Sequence, residues 1–64
     1  MSAADEPREV YFEFTAIGAV VKVAAIDATT GVEVSMMGPA SAAQSDLEQL
    51  ALAKLKARLK RERD

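Results

Sequence analysis

The chain contains no cysteine, no histidine and no tryptophan among its 64 residues. Without cysteine it has no disulfide, no thiolate nucleophile and few of the usual ligand sets for zinc. This absence fits a reducing compartment, so we expect a cytoplasmic protein. Without histidine the usual general base at neutral pH is missing. We therefore predict no catalytic residue, no metal and no cofactor, and we do not expect an enzyme.

Long apolar runs are absent as well. Lys22, Asp27 and Glu33 interrupt the apolar part of the chain, so no segment approaches the roughly 18 uninterrupted apolar residues of a membrane span. Residues 1–7 have neither the basic region nor the apolar region of a secretory signal. We expect no membrane association. Small domains are commonly stabilised by disulfides, metals or oligomerisation, and of these only oligomerisation remains here.

The apolar residues that are present follow two periods, and the change falls at Gly38-Pro39. Before this point they alternate along three segments, and after it they recur every fourth residue at Leu47, Ala51, Leu55 and Leu59. We predict an α+β fold in which a three-stranded antiparallel meander precedes one C-terminal amphipathic helix packed on one sheet face. Residues 1–8 are expected to form a disordered leader and residues 9–64 a single βββα domain. The alternating residues are Val10, Phe12, Phe14, Val21, Val23, Ala25, Val32, Val34 and Met36.

The alternation also predicts strand pairing, with strands at about residues 9–15, 20–27 and 32–37. In the first hairpin we pair positions whose numbers sum to 35, which sets Phe14 opposite Val21 and Glu13 opposite Lys22 as a cross-strand ion pair. In the second hairpin we pair positions that sum to 59. Here Asp27 is expected to accept backbone hydrogen bonds, and Gly31 to take the left-handed conformation that closes a four-residue loop.

The helix has two candidate starts and an apolar face broader than one sheet requires. The capping boxes are Ser41 with Gln44 and Ser45 with Glu48, and either can begin the helix. The apolar positions span an arc of about 200°, against about 100° for the stripe that faces one sheet. We therefore predict a homodimer that buries either the arc around Leu52 and Leu59 or a sheet edge. Phe12 is expected at the centre of the packed sheet face.

Positive charge is concentrated at the end of the helix. Residues 54–64 contain six basic side chains and only two acidic ones. Several cations on one helix can contact nucleic-acid phosphates, and the weak candidates for such contacts are Lys56, Lys60, Arg61 and Arg63. We favour the simpler interpretation, in which these charges stabilise the C-terminal end of the helix dipole. The sequence pI of about 5.0 and the lack of an exposed aromatic cluster argue against nucleic acid as a partner.

One further motif and a family resemblance complete the sequence evidence. Gly38-Pro39-Ala40-Ser41 leads into a helix N-terminus, where anions can bind, but its glycine spacing is not that of a nucleotide-binding loop, and we interpret it as a connection. The motif occurs together with Glu9-Val10-Tyr11-Phe12-Glu13-Phe14, Val21-Lys22-Val23-Ala24-Ala25-Ile26-Asp27, Gly31-Val32-Glu33-Val34, Leu47-Glu48 and Leu55. With these segments the chain resembles a family of short bacterial proteins classed as a domain of unknown function.

The resemblance covers about residues 9–59. It implies a small α+β domain and brings no activity, cofactor or site residue with it. We interpret the protein as an uncharacterised interaction module that acts as a homodimer with an unknown protein partner. The alternative is a nucleic-acid-binding accessory domain that uses the basic end of the helix.

Overall fold

The structure, a computed structural model, describes residues 9–63. The strands form one antiparallel sheet in the order β1-β2-β3, and the helix packs on one of its faces. This confirms the predicted βββα architecture. The leader predicted for residues 1–8 lies outside the described residues. The elements are β1 (Val10–Ile17), β2 (Val20–Asp27), β3 (Glu33–Pro39) and α1 (Gln44–Arg63).

The pairing of β1 with β2 differs from the predicted register. Positions pair when their numbers sum to 37, so Phe14 lies opposite Val23 and Glu13 lies opposite Ala24. The prediction is wrong by two residues, and within the described chain Glu13 forms no ion pair with Lys22. A shift of two residues leaves every side chain on the same face of the sheet. The apolar pattern therefore fits both registers equally well.

Gly18 decides between these registers through the turn. A two-residue turn of Gly18 and Ala19 joins the paired residues Ile17 and Val20. Gly18 has a φ of 62°, while no residue other than glycine has a positive φ in the described chain. A positive φ at the first turn residue alone is the pattern of a type II′ hairpin, which glycine favours at that position. The predicted register would have placed Ile17 in the turn.

The second hairpin has the predicted register and loop. Positions of β2 and β3 pair when their numbers sum to 59. The buried carboxylate of Asp27 accepts hydrogen bonds from the Thr30 backbone N–H at 2.9 Å and from its hydroxyl at 2.7 Å. Gly31 has a φ of 78° and donates its N–H to the Asp27 carbonyl at 2.8 Å. Both predicted roles in the loop are confirmed.

A small core lies between α1 and two of the three strands. It depends on short side chains, because Ala51 of the helix and Ala25 of β2 are both fully buried. Gly38 lies close against the helix: a Cβ atom at this position would lie 2.7 Å from Cδ2 of Leu47. The core residues are Val23, Ala25, Val34, Leu47, Ala51 and Leu55.

The helix begins at neither predicted capping box. Its first residue is Gln44, and the carbonyl of Ala43 accepts the N–H of Leu47 at 3.2 Å. Ser41 lies ahead of the helix and Ser45 within its first turn, and neither hydroxyl makes a hydrogen bond to the described residues. The helix start therefore follows neither local capping preference, and Leu47, whose N–H makes this bond to Ala43, is buried in the core.

Phe12 does not occupy the centre of the packed face. It lies on the edge strand β1 and is only half-buried, while Val23 and Ala25 of the central strand lie beneath the helix. The reason is that α1 packs on β2 and β3 and makes at most a marginal contact with β1. The helix therefore leaves one third of the inner sheet face partly open.

Candidate interaction surfaces

The first candidate surface is a strip of apolar side chains along the side of the domain that α1 leaves half-covered. On the sheet it consists of Val10, Phe12 and Phe14, which pack against the edge of the core without being buried by it. On the helix it consists of Leu52 and Leu59, which are also half-buried. We call these five residues the open strip.

The position of Lys54 shows that the two leucines belong to the same side as β1. Lys54 Nζ donates a hydrogen bond to the Ser35 carbonyl on β3 at 2.7 Å, so this side of α1 faces β3. At 3.6 residues per turn, Leu52 and Leu59 lie about 160° and 140° around the helix from Lys54. They therefore face away from β3, toward the side of the sheet on which β1 lies.

The second candidate surface is the free edge of β1. The Glu9 carbonyl accepts the Ala28 N–H at 3.0 Å, so the odd-numbered residues of β1 direct their backbone groups toward β2. The even-numbered residues direct their N–H and C=O groups away from the sheet. These outward-directed residues are Val10, Phe12, Phe14 and Ala16.

The two edges of the sheet differ in how they are protected. On β3 the carbonyl of Ser35 already accepts the Lys54 side chain, and Pro39 has no N–H to offer at the edge. Proline and lysine are the residues that natural sheets use to block edge pairing. β1 contains neither residue, and within residues 9–63 no other segment covers its edge. Only the β1 edge therefore offers a full row of backbone donors and acceptors.

The third candidate surface is the face of the sheet opposite α1. The side chains of Tyr11, Ile17 and Met37 are each 52 % exposed there, and Val20 lies beside Ile17. Among the large apolar side chains exposed in the described chain, only Leu50 lies elsewhere, on the helix. Met37 thus faces outward while Met36 packs against the core, as expected for adjacent residues of a strand.

Tyr11 on this outer face interacts with an acidic neighbour. The carboxylate of Glu9 accepts a hydrogen bond from the phenol, and this bond raises the pKa of Tyr11 because it stabilises the neutral form. The negative charge of Glu9 disfavours the phenolate and acts in the same direction. The Tyr11 side chain is about half exposed, so its phenol can make a polar contact at the surface.

The candidate nucleic-acid contacts do not all lie on one side of the helix. Lys56, Lys60 and Arg61 are exposed, and Arg63 is the last residue of α1. At 100° per residue, Lys56 and Lys60 point away from the sheet whereas Arg61 lies on the β3 side. Two other cations of this segment have partners in the protein. Lys54 bonds to Ser35, and Arg58 forms an ion pair with Glu62 at 2.8 Å.

The connection of Gly38-Pro39-Ala40-Ser41 forms no anion site in the described chain. In the connection before α1, the N–H of Ala40 donates to Ala19 and the N–H of Ala42 donates to Pro39, so these amides serve the fold rather than an anion. Residues 9–63 contain no cluster of three or more side chains able to hold a metal ion. No helix in this part of the chain is long and apolar enough to cross a membrane.

Comparison with known proteins identifies the family. The model of a family described as a domain of unknown function, DUF6898, matches residues 7–62. The match spans nearly all of the domain, so the chain belongs to this family, as the resemblance predicted. No curated protein and no solved structure is significantly similar to the chain. The function is therefore inferred from the surfaces themselves.

Sequence reasoning identified the helix part of the open strip but missed the part on β1. The broad apolar arc of α1 pointed to Leu52 and Leu59, and both are indeed half-buried. Phe12 and Phe14 were assigned to the closed core, because alternation shows which face a side chain occupies but not whether a helix covers that strand. The sequence signal that the β3 edge is less able than the β1 edge to pair with another strand was Pro39, because proline has no N–H to donate.

Proposed function

We propose that the protein is an interaction module that functions as a homodimer and that the second copy covers the open strip. The observation that carries this proposal is that α1 packs on β2 and β3 and makes at most a marginal contact with β1. As a result, two phenylalanines on β1 and two leucines on one side of the helix are left half-exposed. In a chain of 64 residues with no disulfide, further burial of these side chains adds substantially to a small core.

A second copy of the chain fits this surface, because an isologous contact covers the same patch on both copies at once. The open strip contains no charged residue, so two strips can meet without burying an unpaired charge. Charged side chains lie instead on the outer sheet face and on the exposed side of the helix, where Glu13, Lys22, Lys56 and Lys60 are exposed.

The nucleic-acid alternative has no comparable support from the geometry. Lys54 and Arg58 have partners inside the protein, and of the other exposed cations of this segment Lys56 and Lys60 share one side of α1 whereas Arg61 lies about 100° from Lys60. Tyr11 lies on the outer sheet face, opposite the face that carries the helix. A base stacked on Tyr11 and a phosphate bound at the helix end would therefore lie on different sides of the domain.

Sedimentation equilibrium over a series of micromolar concentrations tests the proposal. We expect about twice the chain mass of 6.8 kDa. Leu52→Ser should weaken the dimer by at least about tenfold, which corresponds to about 1.4 kcal/mol. Leu50→Ser is the matched control, because Leu50 is 58 % exposed on the opposite side of the same helix. It should leave the dimer constant unchanged.

Two results would contradict this function. The native chain could sediment as a monomer throughout the series, or Leu50→Ser could weaken the dimer as much as Leu52→Ser does. Circular dichroism on both variants separates loss of dimer from loss of fold. Labelled oligonucleotides titrated at two salt concentrations address the alternative, since sub-micromolar binding that falls steeply with salt would favour the nucleic-acid function.

A further inference from the structure

We infer that the second copy adds to the free edge of β1, so that the two β1 strands pair antiparallel about a two-fold axis at Phe14. This inference rests on the proposed homodimer and specifies its interface. The two three-stranded sheets would become one continuous sheet, with β1 of each copy at the centre and one helix on each side of the central strip.

The free backbone groups at the edge of β1 are suited to pairing with another strand. The outward N–H and C=O groups of Phe12, Phe14 and Ala16 require partners spaced as in an extended chain. A long apolar edge without proline, lysine or a covering segment is the kind that pairs with another strand. β3 cannot supply this contact equally well, because Lys54 and Pro39 occupy or remove part of its hydrogen-bonding row.

The two-fold symmetry restricts the register. If the axis is perpendicular to the sheet, the helices of both copies lie on the same face, and even-numbered residues pair with even-numbered residues. Three centred registers then use most of β1, with the axis at Phe12, Glu13 or Phe14. The axis at Glu13 would place two carboxylates directly opposite each other, at a Cα separation of about 4.5 Å. Like charges in this position are destabilising, which argues against that register.

Of the two remaining registers, the axis at Phe14 uses more of the strand. It pairs residues 11–17 of both copies, whereas the axis at Phe12 pairs only residues 10–14 within β1. It also sets Tyr11 opposite Ile17 of the second copy, and both side chains are 52 % exposed in the single domain. Glu13 then lies opposite Thr15, so no charge faces a like charge.

This pairing would also cover Phe12 and Phe14 of the open strip, while Val10 lies just beyond the paired residues. On the inner face Phe14 lies against its symmetry mate, and Phe12 lies opposite Ala16. The helices flank these side chains because each covers only β2 and β3 of its own copy. Leu52 and Leu59 then face inward over the shared strip. The same arrangement thus gives the backbone groups at the edge of β1 hydrogen-bond partners and buries half-exposed apolar side chains.

Cysteine cross-linking tests the register, because the native chain has no cysteine. Glu13 and Thr15 direct their backbone groups toward β2, so they would form a non-hydrogen-bonded pair across the interface, at a Cα separation of about 4.5 Å that suits a disulfide. A mixture of full-length Glu13→Cys and Thr15→Cys chains should therefore form a mixed disulfide dimer under mild oxidation, identified by mass. Ser35→Cys, on the same sheet face but on the far edge strand, is the matched control and should remain monomeric on a non-reducing gel.

Each alternative arrangement gives its own product. Mixed disulfides between Glu13→Cys and Tyr11→Cys chains would place the axis at Phe12, and efficient cross-linking of Glu13→Cys with itself would place it at Glu13. Cross-linking of Met37→Cys with itself would show that the outer sheet faces meet. Any of these as the dominant product would overturn the inference. So would a chain that sediments as a dimer but gives no mixed disulfide, whereas a chain that sediments as a monomer contradicts the proposed function itself.

A second variant tests the edge without a disulfide. The N–H of Ala16 points away from β2, so Ala16→Pro removes no hydrogen bond within the sheet. We expect loss of the dimer in sedimentation with the circular dichroism spectrum retained. A folded Ala16→Pro chain that remains fully dimeric would overturn the inference. If the variant does not fold, the cross-linking result decides alone.

Discussion

At the scale of single residues, the contact between Gly38 and Leu47 sets how closely the helix approaches the sheet. Leu47 is buried in the core, so its methyl group has little freedom to move aside. The chain here leaves β3 and turns toward α1, and a larger side chain would separate the two layers. This explains why glycine occurs at a buried strand position, where it ordinarily weakens a sheet.

Gly38→Ala is predicted to destabilise the domain by about 1 to 3 kcal/mol through overpacking. Urea unfolding monitored by circular dichroism measures this loss. In a Leu47→Ala background the added methyl group has space, so the same substitution should cost clearly less. An equal cost in both backgrounds would show that the contact with Leu47 is not the cause.

Tyr11 gives a prediction for pH dependence. Glu9 raises the pKa of this phenol by accepting its hydrogen bond and by its negative charge. Glu9→Gln should lower the pKa toward the ordinary value of about 10, because glutamine has no charge to oppose the phenolate. Tyr11 is the only tyrosine and the chain has no tryptophan, so ultraviolet absorbance follows its ionisation directly. An unchanged titration curve would mean that Glu9 does not act on the phenol.

At the scale of elements, the hairpins show what a sequence pattern can determine. Alternation at Val21, Val23 and Ala25 fixed which face of β2 is apolar, and Asp27 with Gly31 fixed the second loop. The register of the first hairpin could be assigned only from the conformation of Gly18, because an apolar pattern with a period of two is unchanged by a shift of two residues. The helix start was missed for a related reason. Both capping motifs are local signals, whereas the helix begins at Gln44, with Leu47 buried against the sheet.

The basic end of α1 is predicted to be dispensable for folding. Replacing Lys56, Lys60, Arg61 and Arg63 together by glutamine should cost only about 0.3 to 1 kcal/mol, the size of a helix-dipole contribution. Thermal unfolding by circular dichroism measures the change. Replacing Lys54 by glutamine is the informative comparison, because it breaks the hydrogen bond to the Ser35 carbonyl. Complete unfolding of the fourfold variant would contradict the prediction.

At the scale of the whole molecule, the position of the helix relative to the three strands determines the exposed surface. The sequence predicted every element and the apolar face of each, yet it did not show that α1 covers β2 and β3 while leaving β1 open. That asymmetry depends on small residues at the contact, Gly38, Ala25 and Ala51, and on Lys54 reaching the edge of β3. Such features follow from three-dimensional packing rather than from periodicity.

The most direct test of the homodimer and its interface is residue-resolved amide hydrogen exchange by NMR at concentrations above and below the dimer constant. In the single domain, the amides of Phe12, Phe14 and Ala16 point to solvent, whereas those of Tyr11, Glu13 and Thr15 are bonded to β2. We predict that the first group exchanges rapidly in dilute solution and becomes protected in the dimer, while the second group is protected in both. Rapid exchange of Phe12, Phe14 and Ala16 in a sample that sediments as a dimer would contradict pairing at the β1 edge.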